Sequence, residues 1–164
     1  MCPEFNSVCK EEPAFEVFKR ALELVFEGGD GNTEFLERLS TEARLVYLVW
    51  NLDGEIHNGG FDQLFVNSLG DHCSEILLYL RGLNAKSSES LLRAAMSHFP
   101  DSEVPKDRQT RVSLWLSISE SEEVGEALEA LDLEFYEYKD NLSGLLDDFV
   151  CANKSATIAV LQGV

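Results

Sequence analysis

The chain has 164 residues, of which 30 are acidic and 13 are basic, so its formal net charge is −17. A hydrophobic share of 45% is enough to build a folded core, which excludes a disordered acidic tail. The charge also disfavours direct binding to nucleic acid or anionic lipid, because both are negative, and it favours basic proteins as partners.

The N-terminal residues and the cysteines indicate the compartment. No apolar run reaches the ~18 residues that a membrane span needs, and residues 1–10 lack the basic and then apolar pattern of a secretory signal. We therefore expect a cytoplasmic protein with no membrane partner. The cysteines lack the paired spacing of a zinc or redox motif, so we expect them to be reduced and predict neither a metal nor another cofactor.

The first part of the chain predicts amphipathic helices. We assign residues 1–11 to an N-terminal extension and residues 28–33 to a loop. Between them, Pro13 begins a helix whose inward face is made of Phe15, Phe18, Leu22, Val25 and Phe26. A second helix, capped by Ser40 or Thr41, ends at residues 58–60, because asparagine and glycine tolerate left-handed backbone.

The remaining segments also favour helices. A short helix is expected over 61–69, Asp71 and then Ser87 or Ser88 can cap the next two, and residues 100–107 read as a loop. Apolar residues alternate over 112–118, as in a strand, but an isolated strand would have no partner, so we favour a helix. Residues 122–142 form either one helix or two that are divided at Asp132, and a last helix covers 142–152.

These elements predict an all-α fold, a compact single-domain bundle of about seven to eight helices. The acidic helical domain would span residues 12–153. Residues 154–164 form a C-terminal tail to which the pattern assigns no structure.

More than half of the excess negative charge lies in residues 117–150, which contain eleven acids and a single base, Lys139. Like charges at i,i+4 destabilise a helix by ~0.2–0.5 kcal/mol per pair, so an acidic face with few bases nearby suggests a basic partner. A solvated outer face is the competing interpretation. The predicted partner-binding acids are Glu122, Glu123, Glu126, Glu129, Glu134, Glu137, Asp140, Asp147 and Asp148.

A polar motif spans residues 55–70 and consists of Glu55, Asn58, Gly59, Gly60, Phe61, Gln63, Phe65, Asn67 and Gly70. Glu55, Asn58 and Gln63 could be read as an acid/base cluster. We favour a structural role, since polar side chains beside a glycine break often satisfy backbone groups at helix ends. Common nucleotide-binding, metalloprotease and nucleophile-elbow motifs are absent from the sequence.

The motif resembles that of a bacterial family of domains of unknown function that includes a DNA-mimic protein. A second similarity is Leu131-Asp132 followed by Phe135-Tyr136, and the likeness covers about residues 12–152. The resemblance implies a compact, mostly helical domain in which the motif and Asp132 are scaffold, with no catalytic residue carried over. For the DNA-mimic member, it implies an acidic surface that occupies the DNA-binding face of a transcription factor.

We therefore predict a non-enzymatic acidic binding module, a DNA mimic that occupies the DNA-binding surface of a transcription factor or nucleoid protein. Two alternatives remain open. One is an immunity or antitoxin-like protein that neutralises a basic toxin, and the other is an enzyme with a site near the Asn-Gly-Gly-Phe motif. Whether the protein is a monomer or a dimer is also open.

Overall fold

A computed structural model describes residues 12–26 and 36–161, with side chains up to residue 157. This part of the chain contains eight α-helices, two short 3₁₀ helices and no strand, which confirms the all-α fold. None of its helices is both long enough and apolar enough to cross a bilayer. The predicted N-terminal extension, the loop over 28–33 and residues 162–164 of the tail lie outside the described residues.

The α-helices are α1 (Pro13–Phe26), α2 (Thr41–Val66), α3 (Cys73–Gly82), α4 (Lys86–Met96), α5 (Arg108–Ser119), α6 (Glu122–Tyr136), α7 (Leu142–Ala152) and α8 (Lys154–Leu161). The 3₁₀ helices cover Ser68–His72 and Pro100–Ser102. The tail therefore contributes a helix that its apolar composition did not reveal.

The chain divides into two compact units, residues 1–50 with 143–164, and residues 51–142. In the first unit, α8 packs on α1, and the Phe18 ring stacks on Tyr47 and Trp50 with centroids 5.9 and 5.4 Å apart. The Asp147 carboxylate accepts a hydrogen bond from the Ala14 backbone N–H at 2.9 Å, which satisfies a donor in the first turn of α1.

The buried face of α1 differs from the predicted one. Its buried residues are Pro13, Ala14, Val17, Ala21 and Val25, at helical spacing. The phenylalanines fall beside this face, and Phe26 is exposed. The prediction weighted large side chains, whereas the close approach of neighbouring helices selects the small ones.

The core of the second unit is aromatic. The Phe65 ring lies 4.9 Å from that of Phe99 and 4.6 Å from that of Trp115, and all three side chains are buried. Around this cluster α3 packs on α4, while α4 and α5 each pack on α6. Helix α5 thus confirms the preference for helix over strand at residues 112–118.

Helix α2 is broken where the sequence predicts. Gly59 and Gly60 have non-helical backbone angles, and Gly60 has a φ of 70°, in the left-handed region that favours glycine. Residues 61–66 then resume a helix. The break therefore divides α2 into two helical stretches that meet at a kink, as the sequence predicts.

Two predicted caps are wrong. Helix α4 begins at Lys86, and neither Ser87 nor Ser88 caps it; instead the Asp140 carboxylate accepts from the Ser88 N–H at 2.7 Å. Helix α3 has no side-chain cap, and Asp71 instead pairs with Arg111. At the start of α2, the predicted Ser40 cap is confirmed by its acceptance from the Ala43 N–H at 3.2 Å.

Helix α6 ends at Tyr136, which decides between the alternatives left open for residues 122–142. There is no break at Asp132, and the chain leaves the helix through Tyr138, whose φ of 53° is left-handed. The acidic helix is therefore about 21 Å long at 1.5 Å per residue, shorter than a helix running to Asp140.

Candidate partner-binding surface

The polar residues of the motif bond to each other. The Glu55 carboxylate accepts from Gln63 Nε2 at 2.5 Å and from Asn67 Nδ2 at 2.9 and 3.1 Å. These three side chains lie on either side of the break in α2, so their bonds join its two halves. Of the proposed acid/base cluster, only Glu55 and Gln63 are in contact, and Asn58 is exposed.

Asp132 of α6 holds the break in α2 from the opposite side. Its Oδ1 accepts from the Phe61 N–H at 2.9 Å, which is the first backbone donor after Gly60. A Cβ on Gly60 would overlap the Asp132 carboxylate. Burial raises the pKa of Asp132, and the Phe61 N–H partly offsets that rise. The two sequence elements that carry the family resemblance are therefore in direct contact in the structure.

Arg111 of α5 lies behind the motif and is completely buried. Its guanidinium donates to the backbone carbonyls of Phe65 at 2.8 Å and Asn67 at 2.9 Å, and it pairs with Asp71 at 2.7 Å. It also donates to the carbonyls of two loop residues, 105 and 106. Gly70 leaves room for it, because a Cβ there would lie 2.5 Å from Arg111 Nε.

Sequence reasoning missed Arg111, and also Trp115, whose Nε1 donates to the Asp62 carboxylate at 2.7 Å. The sequence did contain a signal for both residues: Arg111 lies one helical turn before Trp115, so both side chains lie on the same face of a helix. The alternating apolar residues of the same segment drew attention to a different face. All these contacts make the motif a structural network of the second unit.

The outward side of α6 carries a straight row of side chains, here called the outer row: Glu122, Glu126, Glu129 and Leu133. At 100° per residue these four positions fall within about 60° of one another, opposite the buried residues Leu128 and Phe135. Each member is exposed. The amphipathic arrangement predicted for this segment is therefore present over residues 122–136.

The carboxylates of the outer row have no internal partner. None of the three makes an ion pair or hydrogen bond with another described residue, and neither does the exposed Glu123 beside them. By contrast, Glu134 and Glu137 are paired with Lys139, at 2.8 and 3.0 Å. Those two carboxylates raise the pKa of Lys139, which keeps its amine charged.

The remaining predicted acids are placed differently. Asp140 is used to bond the start of α4, and Asp147 is used to bond the start of α1. Asp148 is exposed, but it belongs to the other unit together with Asp147. Within the second unit, the N-terminal two-thirds of α6 therefore carries a group of neighbouring unpaired carboxylates, while Asp101, Glu103 and Glu120 are exposed acids outside this helix.

An aromatic cluster borders the other end of α6. The imidazole of His57 lies 5.4 to 5.8 Å from the rings of Phe135, Tyr136 and Tyr138. Its Nδ1 is 2.8 Å from the carbonyl oxygen of Asp53. Burial raises the pKa of the Asp53 carboxyl, and the charge of His57 partly offsets this rise.

The residues that the structure describes do not form a metal site or a reactive-thiol site. They hold no group of three His, Cys, Asp or Glu side chains that could bind a metal ion. Cys73 and Cys151 are free thiols, and burial raises the pKa of Cys73 to about 12. Cys73 is therefore an unreactive core residue at neutral pH.

A comparison with protein-family models identifies the family of this chain. Residues 37–153 match the family model described as DMP19-like protein. The chain belongs to the DMP19-like family. This confirms the predicted relationship to a bacterial family that includes a DNA-mimic protein. The match starts later than the predicted likeness, which began near residue 12, and it ends before α8. A search of the curated proteins returned no match, and neither did a search of the solved structures.

Proposed function

We propose that this DMP19-like protein is a DNA mimic that occupies the DNA-binding surface of a transcription factor or nucleoid protein. The observation that carries the proposal is the outer row of α6, whose carboxylates are exposed and unpaired among the described residues. Lysines and arginines arranged to meet phosphates would find negative groups there in a linear order.

The distribution of charge supports this role over simple solubility. Glu122, Glu126 and Glu129 follow one another at i+4 and i+3, so neighbouring carboxylates sit about 5–6 Å apart at their Cβ atoms and repel each other. Basic residues pair with acids elsewhere: Arg81 and Arg93 both contact Glu89, and Lys139 contacts Glu134. A cationic partner would relieve the repulsion along the outer row.

Displacement of DNA tests the proposal. Proteins of the source organism that are retained on an immobilised duplex of two helical turns would be eluted as a duplex-binding pool. The pool would then be mixed with fluorescent duplex, and the chain would be added while anisotropy is recorded. We expect the chain to release the duplex at about 0.05 M salt and to lose this ability near 0.5 M, because salt screens the charges.

Two variants with the same net charge distinguish the effect of where the acids lie from the effect of the total charge. The outer-row triple variant carries Glu122→Gln, Glu126→Gln and Glu129→Gln. The control triple variant carries Glu12→Gln, Glu37→Gln and Glu103→Gln, which are exposed acids elsewhere. Both reduce the net charge from −17 to −14. We expect the outer-row triple variant to need about tenfold more protein for displacement. Equal behaviour of the two variants, or no displacement by the wild type, would refute the proposal.

The same acidic surface would suit an immunity or antitoxin-like protein with a basic toxin as its partner. The experiment distinguishes this alternative, because a toxin that does not bind DNA is absent from the duplex-binding pool. A basic protein that binds this chain but does not bind the duplex would favour the antitoxin function.

A further inference from the structure

The outer row of α6 does not end in a carboxylate. Leu133 continues the row one turn beyond Glu129, and 60% of its surface is exposed. Tyr136 follows three residues later and is 43% exposed. We call Leu133 and Tyr136 the apolar end. An exposed leucine placed in line with a row of acids sits where a partner bound to those acids would also cover it.

The apolar end is held in place before any partner binds. The Tyr136 hydroxyl donates to the Ile56 carbonyl at 3.0 Å, and its ring lies 5.4 Å from the imidazole of His57. Leu133 stands within α6, where few rotamers are available. Side chains that are already fixed lose little conformational freedom on binding, which favours them as contact points.

The charge around the apolar end indicates what covers it. A two-fold contact between copies would set the same surface of each against the other, and would bring the carboxylates of two outer rows together. Like charges at that distance repel. A partner with basic side chains has the complementary sign, so the apolar end belongs to the same contact as the outer row.

We propose that the apolar end enters an apolar recess of the cationic partner, beside the basic side chains that meet the outer row. This inference rests on the proposed function. The phosphates that the outer row would imitate carry no apolar side chain comparable to that of Leu133. Leu133 would therefore give the mimic an affinity component that DNA lacks. This component does not depend on charge, so salt does not screen it.

The test uses the duplex-binding pool and fluorescent duplex described above, with substitutions of single exposed leucines. Leu133→Gln removes the apolar group, and Leu133→Met keeps it. The matched control is Leu78→Gln on α3, because Leu78 is 63% exposed. Thermal unfolding by circular dichroism establishes that each variant is folded. We expect Leu133→Gln to need at least about tenfold more protein to displace the duplex. Leu133→Met and Leu78→Gln should match the wild type.

The outcomes separate this inference from the proposed function. If the wild type displaces the duplex and Leu133→Gln does so equally well, the role of the apolar end is refuted while the mimicry stands. An equal loss in Leu78→Gln refutes it too, since position would then be irrelevant. Sedimentation that shows self-association abolished by Leu133→Gln would make a second copy the occupant. If the wild type displaces nothing, the proposed function itself fails.

Discussion

Acidic side chains have opposite surroundings in two neighbouring parts of the second unit. Around the break in α2, three carboxylates have an internal partner: Glu55 accepts from two amides, Asp132 accepts from the Phe61 N–H, and Asp71 forms an ion pair with Arg111. Along the outer row of α6, the carboxylates have none among the described residues. The acids that stabilise the fold therefore differ from those available to a partner, although both come from one strongly acidic chain.

The largest effect is expected at Arg111, which tests the structural half of this comparison. Arg111→Met would leave Asp71 and several backbone carbonyls buried without a donor, so we expect a loss of about 3–5 kcal/mol in the free energy of unfolding. Urea denaturation measures it. Arg108→Met on the same helix is the control, because Arg108 makes a single exposed hydrogen bond, to the Val66 carbonyl. A loss below about 1 kcal/mol at Arg111 would contradict its structural role.

A pair of glycines in α2 should respond in opposite directions to alanine. Gly60→Ala forces a Cβ into the left-handed region and into the Asp132 carboxylate, so we expect a destabilisation of about 2–3 kcal/mol. Gly54→Ala meets no neighbouring atom inside a helix and should stabilise by about 0.5–1 kcal/mol. Denaturation of both variants checks the contrast. Equal effects would mean that the break in α2 is not held by Asp132.

Asp132 itself should show a pH dependence. Asp132→Ala removes the acceptor of the Phe61 N–H and should cost about 1 kcal/mol, while Asp132→Asn keeps an acceptor oxygen and should cost less. Burial raises the pKa of Asp132 above 3.8, so the folded state binds its proton more tightly than the unfolded chain does. Its contribution to stability is complete below pH 3.8 and is lost as the pH rises through the raised value.

The difference in unfolding free energy between wild type and Asp132→Asn isolates this titration, because the other acids cancel. We expect the wild type to lose stability relative to the variant as the pH rises above 3.8. A difference that stays constant with pH, or one that changes in the opposite direction, would contradict the burial of this carboxyl.

The smallest effect is expected on the outer row. Glu126 has like charges at i−4, i−3 and i+3, so Glu126→Gln should stabilise the protein by up to about 1 kcal/mol at low salt. Screening should abolish the gain near 1 M salt. Glu134→Gln is the control, because it breaks the ion pair with Lys139 and should not raise the free energy of unfolding. A destabilised Glu126→Gln would indicate that its carboxylate has an internal partner.

Much of the fold follows from the sequence, because its signals are local. The break at Gly59-Gly60, the Ser40 cap and the helix that begins at Leu142 are read from turn residues and periodicity. Contacts between distant residues are not local. No spacing rule places Asp140 at the start of α4, 52 residues away, or identifies the carbonyls that surround Arg111.

The candidate surface was predicted in part for the same reason. Periodicity places Glu122, Glu126 and Glu129 on one face of a helix, and the structure describes them so. It does not reveal that α6 ends at Tyr136, because the left-handed Tyr138 is neither glycine nor asparagine. It also does not tell which acids bond within the fold, so the roles of Asp140 and Asp147 emerged only from three-dimensional contacts.

The most direct measurement of the proposed mimicry is the salt dependence of affinity for a DNA-binding protein that the displacement experiment identifies. Affinity would be measured for the wild type, the outer-row triple variant and the control triple variant over a series of salt concentrations. We predict a steep fall for the wild type, the same slope for the control triple variant and a shallower slope for the outer-row triple variant, because it makes fewer charge contacts. The same slope for all three proteins would contradict the outer row as the DNA-like surface.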